Sequence, residues 1–475
     1  MFTLRDDQRV AEEEFLGSSA HSVVIQAMTG YGKTVLSSSV TKRWIGLPPV
    51  VGRQRRVVFM VHRNNLALQK SQKLSAFGVP HGLRIEGHVS DPDAAVQVCS
   101  IQTLAAAPDQ MPELDEGDLL IIDECHRKDA RKITQHYFAP RVLGFTATPI
   151  EDNGMPLRGY QRMIVTLQPS ELERIGALMR GTVYAVDLFA AEGDDLDPAK
   201  VAAYLQRDGV VSRYAETIAS WDRAPTVVFC QTIPHARQVR DQLIKLGVRA
   251  VAQDSLMDRA ERDEAYQQFM RGDADVICNA NILIEGWDCP WLRRVVMLRP
   301  TESEIIFRQQ YGRGTRVFPG KADWELWDFA GNVIRHGDPF SDRKWSLSEE
   351  EARAELKKRR SIGVWRCPSC FQACEPARVR DTCPKCGAPA VATSRIGTRA
   401  GKLVRWDTAH LARLAEIKAS EQAQAAENAK RIKALFGVAY RAKVKDAHGF
   451  AMKNFKKWEK SGEPWSAFYA GLQRR

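Results

Sequence analysis

No apolar run in this chain approaches the ~18 residues that a membrane-spanning helix needs, so no membrane partner is expected. The N-terminus lacks the pattern of a signal peptide, because Arg5, Asp6 and Asp7 interrupt it early. Cysteine is sparse, with 10 in 475 residues, far below the density of a disulfide scaffold. Five of the ten fall between Cys367 and Cys386, a clustering that suggests metal rather than cross-links. A reducing, cytoplasmic compartment is the expectation. Net charge is missing from most of the chain as well. Residues 391–475 hold 18 Lys/Arg against 7 Asp/Glu, which is the entire +11, and the first 390 residues carry 51 of each sign. A polyanion-binding appendage on a neutral body is the reading.

What is present is organised around AMTGYGKT, Ala27 to Thr34. It follows the β-type run Val23-Val24-Ile25 and precedes a segment that can continue as a helix. That is the strand–loop–helix context of a phosphate-binding loop. Thr29, Gly30 and Gly32 form its turn. The two glycines let the backbone curl so that N–H groups converge on phosphate oxygens. The following helix adds the positive end of its dipole. Lys33 is expected to reach the β and γ phosphates and Thr34 to ligate Mg²⁺. Ala27 stands where the common G-x-x-x-x-G-K-[ST] pattern has its first glycine.

Length predicts roughly three domains. After the loop come β-type runs at Val57 to Val61, Ala95 to Cys99, Leu119 to Ile122 and Val142 to Phe145, separated by helical patterns. Alternation of this kind predicts a parallel sheet with helices on both faces and ligands at the carboxyl ends of strands. One run ends in DECH, where Asp123 is expected to hold Mg²⁺ and Glu124 to act as general base. Another ends in TATP, Thr146 to Pro149. His62, Arg63, Asn64, Gln102 and Thr103 sit at strand ends and suit a nucleic-acid backbone or an ordinary solvated loop equally. Gln8 could read an adenine edge with its amide.

Residues 151 to about 220 read as a mixed connector without chemistry. A second alternating series starts with the strand pattern Thr226 to Cys230 and has no second phosphate loop. It carries instead QQYGRGTR, Gln309 to Arg316. Arg313 and Arg316 are three apart, so on a helix they would share a face and could fork onto the γ-phosphoryl.

In this order and spacing, AMTGYGKT, DECH, TATP, the EGWD segment and QQYGRGTR resemble the superfamily 2 helicases and translocases of the DEAD/DEAH-like type. The likeness covers Leu4 to Asn332. The segment LRPTESEIIFRQQYGRGTRVFPGKADWELWDFAGN looks especially like the bacterial RadD-type DNA repair helicases, which also carry a zinc-binding segment. The resemblance implies an α/β fold of two tandem RecA-like domains, parallel sheets with helices on both faces, with ATP in the cleft between them. It implies that Arg5 and Gln8 lie at the adenine. It implies that Gly286 and Asp288 couple nucleotide to nucleic acid, and that Gln309, Arg313 and Arg316 form the arginine-finger motif. A monomer acting on nucleic acid, with DNA favoured by the family, is the expected form. The alternatives are an RNA helicase on the same engine, or a nucleic-acid-binding module whose ATPase is vestigial.

The expected division is lobe 1 at 1–150, a connector at 151–220, lobe 2 at 221–340 and a linker helix at 341–365. A zinc finger at 366–390 and a basic helical region at 391–475 follow. The finger rests on Cys367-x-x-Cys370 and Cys383-x-x-Cys386, two knuckles that fit a tetrahedral Zn²⁺ site. Cys374 is a spare thiol that could displace one ligand or stay unligated. In the basic region, aromatics from Trp406 to Tyr469 interleave with Lys and Arg, which suits a small core with a Lys453–Lys460 face toward phosphates.

Overall fold

The computed structural model describes residues 3–389, apart from 51, 108–110, 138, 186–196, 221, 281, 284–286, 288, 363–364, 368–371, 375–378 and 380–381. The expectations for Gly286, Asp288, Cys370 and the whole of 391–475 lie outside the described residues.

The first lobe opens with helix α1 (Asp6–Leu16) and strand β1 (Ser22–Gln26). It continues with α2 (Lys33–Ile45), β2 (Val57–Val61), α3 (Asn64–Ala76), β3 (Gly82–Ile85), β4 (His88–Ser90) and β5 (Val96–Ser100). Then come α4 (Ile101–Ala106), β6 (Leu119–Asp123), α5 (Lys128–His136), β7 (Val142–Thr146), β8 (Arg162–Val165) and α6 (Pro169–Arg174). Eight strands form one sheet in the order β4-β3-β5-β2-β6-β7-β1-β8. Every pairing is parallel except β3 with β4. β1, β2, β5 and β7 are buried along their full length, the signature of a sheet covered on both faces.

The second lobe comprises β9 (Thr182–Ala185), α7 (Pro198–Leu205), α8 (Asp208–Ala219), β10 (Thr226–Phe229), α9 (Ile233–Lys245) and β11 (Ala250–Gln253). It continues with α10 (Arg259–Arg271), β12 (Val276–Asn279), β13 (Arg294–Met297), α11 (Glu304–Tyr311), β14 (Glu325–Asp328) and α12 (Asn332–His336). Its six strands are all parallel, in the order β11-β12-β10-β13-β14-β9. Both lobes are therefore α/β with parallel sheets, as two RecA-like domains require.

The segment expected to be a connector is built into both sheets. β8 pairs with β1 in the first lobe, and β9 pairs with β14 in the second. Short edge strands carry little periodicity of their own, and their partners are distant in sequence.

After α12 the chain turns back. Trp345 is buried in a small apolar group with Ile150 of the first lobe and Ile305 of the second. Helix α13 (Glu349–Ile362) follows, with Ser348 accepting from the Glu351 N–H, close to the expected linker helix. The hairpin of β15 (Trp365–Arg366) and β16 (Ala373–Cys374) bridges to the exposed edge of β9 through Tyr184 and Gln372. Lys385 donates to the Tyr184 hydroxyl and lies over its ring at 4.7 Å. Among the described residues, no helix is long and apolar enough to cross a membrane.

Candidate functional site

β1 delivers the chain to the loop Ala27–Gly32, and Lys33 is the first residue of α2. Gly30 and Gly32 have φ of 91° and 96°, the left-handed region that only glycine enters without strain. The N-cap of α2 is Gly32 itself, with no side-chain cap, so the first N–H groups of α2 have no side-chain partner. A Cβ on Gly32 would meet the Gln8 amide nitrogen at 2.8 Å. Open donors and a tight backbone form an anion cradle.

The structure puts Gln8 inside the first turn of α1, not ahead of it. Arg5 is the N-cap and Gln8 accepts from its N–H at 3.1 Å, the N3 half of a capping box. The Gln8 Nε2 donates to the Tyr31 carbonyl at 3.0 Å, and Arg5 donates to the same oxygen at 3.1 Å. Both side chains thus hold the loop. Gln8 keeps a second N–H and a second lone pair, enough to meet a base edge.

β6 and β7 bring DECH and TATP beside the loop. Lys33 Nζ donates to Glu124 Oε1 at 2.7 Å. Glu124 has φ of 48°, an uncommon conformation for a non-glycine residue. Such backbone strain costs roughly 1–3 kcal/mol and collects at functional sites. Its Oε2 is buried with no hydrogen bond, although His126 Nδ1 lies 3.4 Å away. His126 is itself bonded to Thr146 Oγ1 at 2.8 Å, and the Thr146 hydroxyl also meets Thr148. TATP therefore braces DECH.

Burial by itself would lower the Lys33 ammonium, but Glu124 and Asp123 outweigh it and hold it above the ordinary lysine value. Burial would raise Glu124, and Lys33 with His126 pulls it below the ordinary carboxylate value. Asp123 moves the other way, pushed up by burial and then by the neighbouring Glu124 charge. An acidic pair in which one member resists ionisation is short of positive charge. The Asp123 carboxyl and the Thr34 hydroxyl are hard oxygen donors, and they fit Mg²⁺. Asp129, at the start of α5, is drawn down to about 2. Burial opposes this, but His62 at 2.5 Å and Arg127 prevail.

The second lobe closes on the loop directly. Thr315 Oγ1 donates to the Gly312 carbonyl at 3.0 Å and lies 3.4 Å from the Thr29 carbonyl, a contact between the lobes. A Cβ on Gly312 would meet the Thr29 Cβ at 2.6 Å. Arg313 and Arg316 do not share a helical face. α11 ends at Tyr311, and Gly312 and Gly314 carry a turn so tight that a Cβ on Gly314 would strike the Trp324 ring at 2.1 Å. Arg313 is buried, donates to the Trp287 carbonyl at 2.8 Å and acts electrostatically on Lys33 and Glu124. Arg316 is half-buried, and its Cγ lies 4.0 Å from a Cβ built on Gly30. Gln309 is buried in α11.

Two cavities open between the lobes. One of about 580 Å³ is lined by Arg63, Arg127 and Lys132 from the first lobe and by Arg299, Ser303 and Gln309 from the second. One of about 470 Å³ is lined by Arg63 together with Gln231, Thr232, Ser255 and Arg262. Arg63 borders both. Thr103 hydrogen-bonds Asn64 at 3.4 Å, while Gln102 is exposed on α4.

In the cysteine module, Cys367, Cys383 and Cys386 have Sγ atoms within 4.8 Å of one another. Cys367 and Cys386 are 3.7 Å apart. Tetrahedral thiolates at the usual Zn–S length are separated by about 3.8 Å, so the donor set fits Zn²⁺. Cys374 is buried on β16 outside that group.

Sequence reasoning missed Thr315, whose hydroxyl is an undistinguished part of QQYGRGTR. It also missed Lys70, Ser37 and Ser38. The signal for Lys70 was available. It falls between Ala67 and Leu74 on the buried face of α3, where a lysine is out of pattern.

Residues 1–151 match the family described as "Type III restriction enzyme, res subunit", and residues 212–318 match "Helicase conserved C-terminal domain". The two matches, one on each lobe, are those of a superfamily 2, ATP-dependent helicase core. It is 24% identical over 356 residues to a 51.5 kDa protein of a Lactococcus phage, covering 73% of this chain and 74% of that one. It is 26% identical over 361 residues to IRC3 of Saccharomyces cerevisiae, named as an ATP-dependent helicase, covering 69% of this chain. This chain spans 51% of the yeast protein's length. In fold it is similar to a fragment assigned to the HsdR subunit of a type I restriction enzyme from Vibrio vulnificus. There the TM-score is 0.58 at 23% identity, covering 72% of this chain and 66% of that one.

Proposed function

We propose that this protein hydrolyses ATP between its two lobes to move along or unwind nucleic acid, with DNA as the substrate. The observation that carries the reading is the composite site. The Lys33–Glu124 pair faces Arg313 across the cleft, and Thr315 of the second lobe touches the Thr29 carbonyl of the loop.

Lys33 is bonded to the carboxylate that would serve as base. A γ-phosphate in the cradle draws Lys33 away and frees Glu124 to orient a water and take its proton. Arg5 and Gln8 meet the adenine. Thr34 and Asp123 would hold Mg²⁺, which neutralises charge on the phosphate oxygens when bound. Arg313 and Arg316 stabilise charge developing on the transferred phosphoryl. Their position on the second lobe makes hydrolysis depend on closure, which is how turnover becomes movement. Gly286 and Asp288 complete the coupling by their place in the family's motifs, and Gln309 belongs with Arg313 and Arg316 to the arginine-finger motif. Arg63, bordering both cavities, is a phosphate-backbone contact.

The DNA assignment and a role in repair rest on the likeness to RadD-type helicases. The four paired cysteines Cys367, Cys370, Cys383 and Cys386 would hold a structural Zn²⁺, and residues 391–475 would add a basic contact to the strand. The charge-neutral body and reduced thiols suit a cytoplasmic monomer. The test is ATP turnover measured with single-stranded DNA, duplex DNA, forked DNA and RNA. Stimulation by DNA above RNA is expected. Stimulation by RNA alone moves the substrate to RNA, and turnover indifferent to all four overturns the motor.

A further inference from the structure

Lys70 is a buried lysine outside every motif used above. It is 3% exposed, on the inner face of α3. Its Nζ donates to Ser37 Oγ at 2.8 Å and to Ser38 Oγ at 2.9 Å, and it lies 3.9 Å from the centre of the Phe59 ring. Both serine hydroxyls in turn donate to one acceptor, the Thr34 carbonyl, at 3.2 Å and 2.7 Å. The chain of bonds is continuous from α3 through two hydroxyls to the backbone of Thr34, the residue assigned to Mg²⁺.

The arrangement is unusual for a helix start. Serine hydroxyls that bond back to a carbonyl one turn earlier compete with the backbone ladder and bend the helix. Here two of them converge on Thr34, in the first turn of α2. They hold that geometry because Lys70 fixes the oxygen end of each hydroxyl from the neighbouring helix. Two N–H donors suffice, and lysine has them. Asp123 also feels Lys70 electrostatically. α3 begins immediately after Arg63, which borders both inter-lobe cavities, and Lys70 follows two turns later, about 10 Å along the axis.

We propose that Lys70 is a positioning residue for the Mg²⁺ site, fixing the first turn of α2 through Ser37 and Ser38 so that Thr34 is held ready to ligate. The proposal rests on the reading of Thr34 and Asp123 as the metal holders.

Lys70→Met tests it in the full chain. Methionine keeps the unbranched stem and places a thioether against Phe59, but it donates nothing. Mn²⁺ binding in the presence of ADP, read by electron paramagnetic resonance, is expected to weaken about tenfold, as supporting residues around metals do. The half-saturating Mg²⁺ for hydrolysis should rise equally, with the rate at saturating Mg²⁺ kept within about twofold. Ser38→Ala breaks the same chain with a smaller change and should weaken Mn²⁺ binding several-fold. Adding it to Lys70→Met should cost little more. A Lys70→Met protein that melts earlier yet binds Mn²⁺ normally overturns the proposal. If that variant does not fold, normal Mn²⁺ binding by Ser38→Ala overturns it instead. Thr34→Ala separates the two readings. If it leaves Mn²⁺ affinity intact, the metal assignment itself fails. If it weakens binding while Lys70→Met and Ser38→Ala do not, only the role of Lys70 fails.

Discussion

The two lobes repeat one plan and differ at one turn. In the first, β1 runs into a loop with Gly30 and Gly32 in the left-handed region, and α2 starts with no side-chain cap. In the second, β10 runs into Gln231 and Thr232, and α9 starts with Thr232 Oγ1 accepting from the His235 N–H. Pro234 fills the second helical position and has no N–H to offer. One helix start leaves its donors open for an anion, and the other spends them on its own chain. The same βα unit is therefore an open anion cradle, the proposed nucleotide site, in one lobe and a closed structural turn in the other. The second lobe contributes to the nucleotide site only from outside, through the turn after α11.

The sharpest break of that comparison is Lys33→Ala against Thr232→Ala. The first should abolish ATP hydrolysis while nucleic-acid binding persists. The second should leave the rate intact and cost about 1 kcal/mol of stability, the worth of a helix cap. A coupled-enzyme assay beside thermal melts reads both, and turnover retained by Lys33→Ala removes the site from the first lobe. Next in size, Arg316→Ala should slow hydrolysis by roughly 10³-fold or more, as arginine fingers do. An unchanged rate would leave Arg313 as the contributing arginine.

The last comparison concerns pH and belongs to the second lobe. His235 is buried against Tyr214 Oη at 2.7 Å, and burial lowers it to about 4 from its ordinary 6.5. The folded value is depressed, so the unfolded chain binds the proton first. Stability is full above pH 6.5 and falls as pH drops through the window between 6.5 and 4. The loss approaches about 3 kcal/mol at the acid end. Denaturant midpoints at pH 7 and pH 4.5 check it, and His235→Gln should flatten the slope.

Much of the frame was legible in the residues. The strand runs Val57 to Val61, Leu119 to Ile122 and Val142 to Phe145 are strands within one residue of their expected ends. Fully buried parallel strands must be continuously apolar, and that leaves a strong local trace. The connector was illegible because β8 and β9 are only half-buried or edge strands, defined by partners far along the chain. The helical spacing of Arg313 and Arg316 misled because Gly312 and Gly314 end the helix first, for lack of room against Thr29 and Trp324. Glu124 could be named as a base, but its strained φ and its pairing with Lys33 follow from how β6 meets the loop.

Residue order alone determined that a glycine turn of phosphate-cradle pattern follows a strand, that acids and arginines accompany it, and that four paired cysteines lie beyond. Those features depend on local chemistry: glycine for the turn, carboxylates at strand ends, thiols at fixed spacing. Tertiary structure alone decided which groups meet. It set Thr315 against Thr29, Arg313 beside Glu124, and Lys70 beneath Ser37 and Ser38. Those pairings join residues tens to hundreds of positions apart, and only the closing of two lobes and the packing of helix on helix brings them together.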